Sequence, residues 1–199
     1  GTVSSQVGTV NISAGGTSSG IVNAEANAVL QFTSGYTFTD GSHFTGLGTI
    51  QFANNTATTF SGTIINDGNL LFNSVGNFTD FVLNGDVTLT GSGTLSLVSA
   101  DRITGSGTLT NASTIQGGVN GSGNLRNNAI GIINQADGLI DANLSGLPLR
   151  IDPNSGFGLT NMGLMQASNG GLLLLTGNGG GAFDNTGGTI TAQDGSEVQ

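Results

Sequence analysis

The chain has 199 residues, three arginines, no lysine, no cysteine and a net charge of −9. That excludes a disulfide framework, a thiolate metal site and the cationic surface that a nucleic-acid backbone or an acidic membrane face requires. Gly, Asn, Thr and Ser number 36, 22, 25 and 19, about half of the chain, a bias that belongs to disordered chains unless spaced apolar residues supply a core.

Those apolar residues are present and evenly spaced. They are Val10, Leu30, Ile50, Leu70, Leu95, Ile115, Ile140, Met165 and Ile190. The step between neighbours takes two values, a shorter one, as from Val10 to Leu30, and a longer one, as from Ile140 to Met165. The next residue is polar in eight of the nine cases, from Asn11, Gln31 and Gln51 to Gln166 and Thr191, with Leu71 the exception. Two residues on come Ile12, Phe32, Phe52, Phe72 and Leu97, then Gly117, Ala142, Ala167 and Ala192. In-out-in alternation is the period of a strand. Its recurrence at these two steps predicts a solenoid, each turn burying its face on the next. Antiparallel hairpins would not bring equivalent residues back at constant spacing. A pentapeptide repeat needs an apolar residue at every fifth position, and Gly15, Gly20 and Glu25 do not supply it.

In chain order, the opening GTVSSQVG carries neither a basic nor an apolar leader region, so any signal peptide is expected to have been removed. Helix signals are confined to residues 22–30, where the strand register fits better. The remainder reads as strands of about three to five residues between Gly, Asn and Asp turns. Positions 1–90 hold eight of the ten Phe and mostly use coils of the shorter step. Positions 91–199 are rich in Gly and Ala and mostly use the longer step. Three further glycine rows are expected there: Gly121, Gly146 and Gly171; Gly131, Gly156 and Gly181; Gly138, Gly163 and Gly188. Because the second inward position of each coil shrinks from Phe to Ala or Gly, dense packing requires filling from another side. Leu125, Ile130, Ile133, Leu149, Ile151, Leu159, Leu173 and Phe183 are expected to supply it. The fold class expected is all-β, a single-stranded parallel β-helix (β-solenoid) of about nine coils over residues 1–199, roughly 40 Å long at ~4.8 Å per coil. No run of about 18 apolar residues interrupts it as a membrane-spanning helix.

Chemistry-bearing residues are sparse. The ten Asp and two Glu occur singly, without the paired carboxylates that glycoside chemistry uses. Arg102, Arg126 and Arg150 recur at a spacing close to one coil. They could form a basic ladder, yet each slips by one position against the longer step, and they are expected to be solvated, paired with Asp101 and Asp152. His43 is the single histidine, with Asp40 its near neighbour, and reads as a surface residue. Tyr36 is the single tyrosine and there is no Trp, which gives little material for a sugar-stacking cleft. GGGAFD at 179–184 matches a calcium-roll repeat once and imperfectly. The Thr-x-Thr pairs at Thr37/Thr39, Thr88/Thr90, Thr108/Thr110 and Thr189/Thr191 form no continuous ice-binding ladder. The Asn-x-Ser/Thr motifs at Asn11, Asn54, Asn77, Asn111, Asn120 and Asn143 are no more than chance predicts. No catalytic, cofactor-binding or metal site is expected, and no enzyme activity.

The segments GSGTLTNASTIQGG (105–118), GLTNMGLMQASNGG (158–171) and AFDNTGGTITAQDGSEVQ (182–199) resemble repeats of filamentous-haemagglutinin-like and autotransporter-like bacterial adhesins. The resemblance covers residues 40–199 most clearly. It implies a right-handed parallel β-helix, secreted or at the cell surface, and carries no site residues. The expected role is a structural segment, an adhesin stalk or an end-to-end filament subunit. Its expected partners are copies of itself or further coils of a longer chain. The alternative is a module binding a glycan of the host or matrix, or a protein, through an irregular excursion at 35–46 or 143–157. A polysaccharide-degrading enzyme ranks below both.

Overall fold

A computed structural model describes residues 1–119, 124–125 and 130–199. Among the described residues there are strands but no helix, and so none long and apolar enough to cross a membrane. The strands coil through about eight turns of a parallel β-solenoid. Every ladder is parallel; an isolated antiparallel bridge joins Asn154 to Gly180. Each turn passes through three faces.

The first face carries the nine-residue row. Its strands include Thr9–Ile12, Val29–Phe32, Thr49–Ala53 and Asn69–Asn73, then residues 94–98 and 114–117, then Leu139–Ala142, Leu164–Ala167 and Thr189–Ala192. Val10, Leu30, Ile50, Leu70, Leu95, Ile115, Ile140, Met165 and Ile190 pair in unbroken succession. All but the two outermost are buried. The second face runs from Thr17–Ser18 to Glu197–Val198 and the third from Thr2–Ser5 to Phe183–Asp184. In the middle, Thr79–Ser99 and Asp101–Val119 each continue through all three faces as one bent strand.

Aromatic stacking sets the first half. Phe32, Phe52 and Phe72 lie above one another with ring centroids 5.4 and 4.4 Å apart. A second column, Phe38, Phe60 and Phe81, has centroids 5.5 and 3.7 Å apart. Parallel register forces like residues into contact, so one Phe per turn becomes a stack. Above Phe72 the same position holds Leu97, Gly117 and Ala142, and the volume is recovered from the other faces. Leu125, Ile130, Leu149, Ile151, Leu159 and Leu173 are all buried, as expected. Two of that group are not. Ile133 points outward and Ile132 fills the core, because Ile130 is inward and a strand alternates in steps of two. Phe183 registers on the buried Leu159 but is 38% exposed.

The glycine rows divide in the same way. Gly138, Gly163 and Gly188 do align, two residues before the apolar row, and Gly48, Gly68 and Gly93 belong with them. A Cβ on most of these would collide with a carbonyl of the preceding coil. Ser113 interrupts the row and turns the contact into a hydrogen bond, its Oγ donating to the Gly93 carbonyl at 3.1 Å. The other two rows do not hold. Gly131 falls level with Gly158, not Gly156, because Ile132 pairs with Leu159. Gly146 falls level with Gly170 and Gly195, all with φ between 74 and 77°. Small differences in coil length break an even spacing. Gly121 lies outside the described residues.

Where the third face meets the first, a buried amide ladder replaces apolar filling. Asn111 Nδ2 donates to Asn134 Oδ1 at 2.9 Å, Asn134 Nδ2 to Asn161 Oδ1 at 2.8 Å, and Asn161 Nδ2 to Asn185 Oδ1 at 2.6 Å. Each of the first three also donates to a backbone carbonyl, so the ladder's buried amide nitrogens are paired.

The stacked interior predicts a sharp asymmetry between inward and outward positions of one face. Phe52→Ala is expected to cost about 3–5 kcal/mol. The outward Leu71→Ala, on the paired strand, is expected to cost under about 1 kcal/mol. Chemical denaturation of the two variants measures both.

Candidate functional site

Among the described residues no pocket opens and no group of three or more His, Asp or Glu converges on a metal-sized space. The polar chemistry is instead distributed along the corners. Asp40 Oδ1 accepts the Thr63 N–H at 2.7 Å, Asp67 Oδ1 the Ser92 N–H at 2.9 Å, and Asp86 Oδ1 the Thr108 N–H at 2.9 Å. Asp101 and Asp152 accept from Ser74 N and Gly179 N at 3.0 and 2.8 Å. In all five pairs the partners are 22 to 27 residues apart, one coil away. At a corner the backbone leaves the ladder, and an unpaired N–H there is costly. A short acidic side chain reaches across and takes it. Five of the ten scattered Asp residues are therefore inter-coil clamps. The signal in the sequence is an Asp followed by Ser or Thr one coil later, as in Asp40/Thr63, Asp67/Ser92 and Asp86/Thr108.

His43 lies on strand His43–Thr45, and its partner is Asp67, not Asp40: Nε2 and Oδ2 are 2.8 Å apart. The near neighbour in space comes from the next coil, whereas Asp40 is turned to Thr63. Bonds from the Ser92 backbone first, and from His43 second, hold the Asp67 carboxyl below its ordinary value of 3.8.

Arg102 is not a solvated ladder rung. Its Nε and Nη2 donate to the two carboxylate oxygens of Asp80, both at 2.6 Å, and its guanidinium carbon sits 3.7 Å from the Phe78 ring centroid. Asp101 faces the other way, into the corner. Strand register sets Asn124, not Arg126, beside Arg102; Arg126 itself lies outside the described residues. Arg150 registers on Leu174, and Asp152 is buried on the Gly179 amide instead of standing in solvent. Arg102 and Arg150 fall on one register row, since Ile103, Leu125 and Ile151 pair in succession, but Asn124 stands between them.

Residues 35–46 are a regular part of the coil, not an excursion. Phe38 and Phe44 are fully buried, and Tyr36 packs between the Phe32 and Phe38 rings at 5.1 and 5.0 Å. In the 143–157 stretch Pro148 begins a strand, and the bend before Gly158 leaves Phe157 66% exposed. The Thr pairs fall out of step: Thr88/Thr90 pairs with Thr110/Ala112. Asp184, in GGGAFD, accepts from the Thr186 N–H at 2.8 Å. Of the glycosylation-like motifs, Asn111 is buried in the amide ladder, Asn11 and Asn77 are exposed, and Asn120 lies outside the described residues.

No protein-family model, curated protein or solved structure matches the chain.

The clamps are testable through pH. A carboxyl held below its ordinary value in the folded state stabilises the fold above that value, and the contribution is lost as pH falls through the lowered one. Asp67→Ala is therefore expected to lower Tm at pH ~6, with the difference from the unsubstituted chain shrinking as pH falls below the carboxyl's ordinary value of 3.8. Thermal melts across that range measure it.

Proposed function

We propose that the chain is a structural segment of a secreted or cell-surface bacterial β-solenoid, serving as an adhesin stalk or an end-to-end filament subunit. The observation that carries this reading is the unbroken register from Val10 to Ile190. A structure that repeats one cross-section along an axis transmits length and stiffness. The side chains that elsewhere do chemistry support it too, since five Asp spend their oxygens on the backbone of adjacent coils. The resemblance of residues 105–118, 158–171 and 182–199 to haemagglutinin-like and autotransporter-like repeats points the same way.

The proposed partners are further coils, whether of a longer chain or of a second copy. Thr2–Ser5, Thr9–Ile12 and Thr17–Ser18 pair on one side. So do Phe183–Asp184, Thr189–Ala192 and Glu197–Val198. Strand edges of this kind accept another strand. Electron micrographs of the native material are expected to show a stalk or fibre of constant diameter; compact particles without an extended axis would contradict the reading.

One observation favours the alternative, a module that binds glycan or protein. Phe157 stands exposed on a bend within 143–157, and an exposed ring is the usual platform for a sugar face. A glycan array that gives binding lost on Phe157→Ala would move the assignment to that reading.

A further inference from the structure

The corner where the Phe-filled coils give way to the wider ones contains an acid unlike the other clamps. Asp101 is fully buried. Its Oδ1 accepts the Ser74 N–H at 3.0 Å and its Oδ2 the Val98 N–H at 2.6 Å. Ser74 Oγ donates to the Val98 carbonyl at 3.0 Å and accepts the Ala100 N–H at 2.5 Å. One carboxyl and one hydroxyl therefore fasten residue 74 of one coil to residues 98–101 of the next. The bend they close includes Ser99 at φ 61°, a left-handed conformation that strains a non-glycine residue.

The fastened segment, residues 74–78, bulges from the coil. Val75 and Phe78 are 75% and 40% exposed, and Gly76 has φ 96°. From the other side it is held by Asn54 Oδ1, which accepts the N–H groups of Val75 and Asn77 at 2.6 and 3.2 Å.

Among the described residues no cation answers the Asp101 charge. The charged groups facing it from the strands packed around it are Asp80 and Arg102. Arg102 is committed to Asp80 through both carboxylate oxygens, and Asp80 is of like charge. The two backbone N–H bonds and the Ser74 side chain favour the anion; burial and Asp80 favour the acid. Burial is the largest of these effects and pushes the carboxyl up from 3.8 to about 7. If the bulge lifts, the carboxyl regains water and its ordinary value. A group whose value is raised in the closed state stabilises that state fully below the open-state value. The stabilisation is lost as pH rises through the closed-state value.

We propose that this corner is a proton-operated latch: with Asp101 protonated the 74–78 bulge stays fastened to the following coil, and loss of that proton releases it. The release is local, since the first-face strands on either side, Asn69–Asn73 and residues 94–98, remain paired through Leu70 and Leu95.

The test is amide hydrogen exchange of the whole chain between pH ~5 and ~8.5, with rates divided by their intrinsic values, alongside a 13C titration of the Asp101 carboxyl. The latch predicts that protection at Ser74, Val98 and Ala100 falls more than tenfold across the Asp101 midpoint near neutrality, while Leu30 and Ile50 keep theirs. Asp101→Asn, which cannot ionise, is expected to abolish the fall. Should that variant not fold, Asp80→Asn supplies the check: removing the like charge moves both the midpoint and the fall toward lower pH. An Asp101 carboxyl that titrates near pH 4, or protection at Ser74, Val98 and Ala100 that stays level through its titration, overturns the proposal.

Discussion

Along its strands, a backbone N–H of this protein rarely finds its acceptor within its own turn. It bonds to the turn before or the turn after, and the three faces repeat that bond from Thr2 to Val198. Parallel pairing of this kind fixes which residues meet: each side chain lies on its counterpart one coil away. The Phe columns, the asparagine ladder and the glycine row are three outcomes of that one constraint. An apolar ring gains by meeting another ring. An amide gains by meeting another amide. A position pressed against the carbonyl beneath it leaves little room for a Cβ, so it is mostly Gly.

Corners are where the constraint lapses, and there the chain uses its acidic residues. Bending from one face to the next takes N–H groups out of the ladder. Asp40, Asp67, Asp86, Asp101 and Asp152 return them to a partner. Asp67 stands where its neighbouring donors keep it charged. Asp101 has been drawn inside with its nearest cation already taken by Asp80, so the same device that fastens a corner elsewhere becomes sensitive to protons there.

The fold is legible in the sequence because strand alternation and coil spacing are both written in residue type. The row from Val10 to Ile190 needs no structural information, and neither does the loss of Phe near residue 90 or its replacement by Leu125, Leu149, Ile151 and Leu173. A coil of constant length is the assumption that fails. It sets Gly131 beside Gly156, whereas a slightly longer coil brings it level with Gly158; Ile133 fails for another reason, since alternation from the inward Ile130 puts Ile132 inside. The polar contacts are less legible still. His43 with Asp67 and Arg102 with Asp80 are separated by 24 and 22 positions. Sequence neighbours such as Asp40 and Asp101 conceal them. In a solenoid the electrostatic neighbour of a residue is found one coil away.

Successive coils stack in parallel, residue on counterpart, and the absence of cysteine makes that directly measurable. Nitroxide labels on Gln31→Cys, Gln51→Cys and Leu71→Cys, three outward positions joined by register, should lie at successive separations of ~5 Å. Labelled together, they should give the exchange-broadened spectrum of a closely spaced spin column. Three isolated-label spectra, or separations beyond about 15 Å, would contradict a parallel stack at the ~4.8 Å strand spacing.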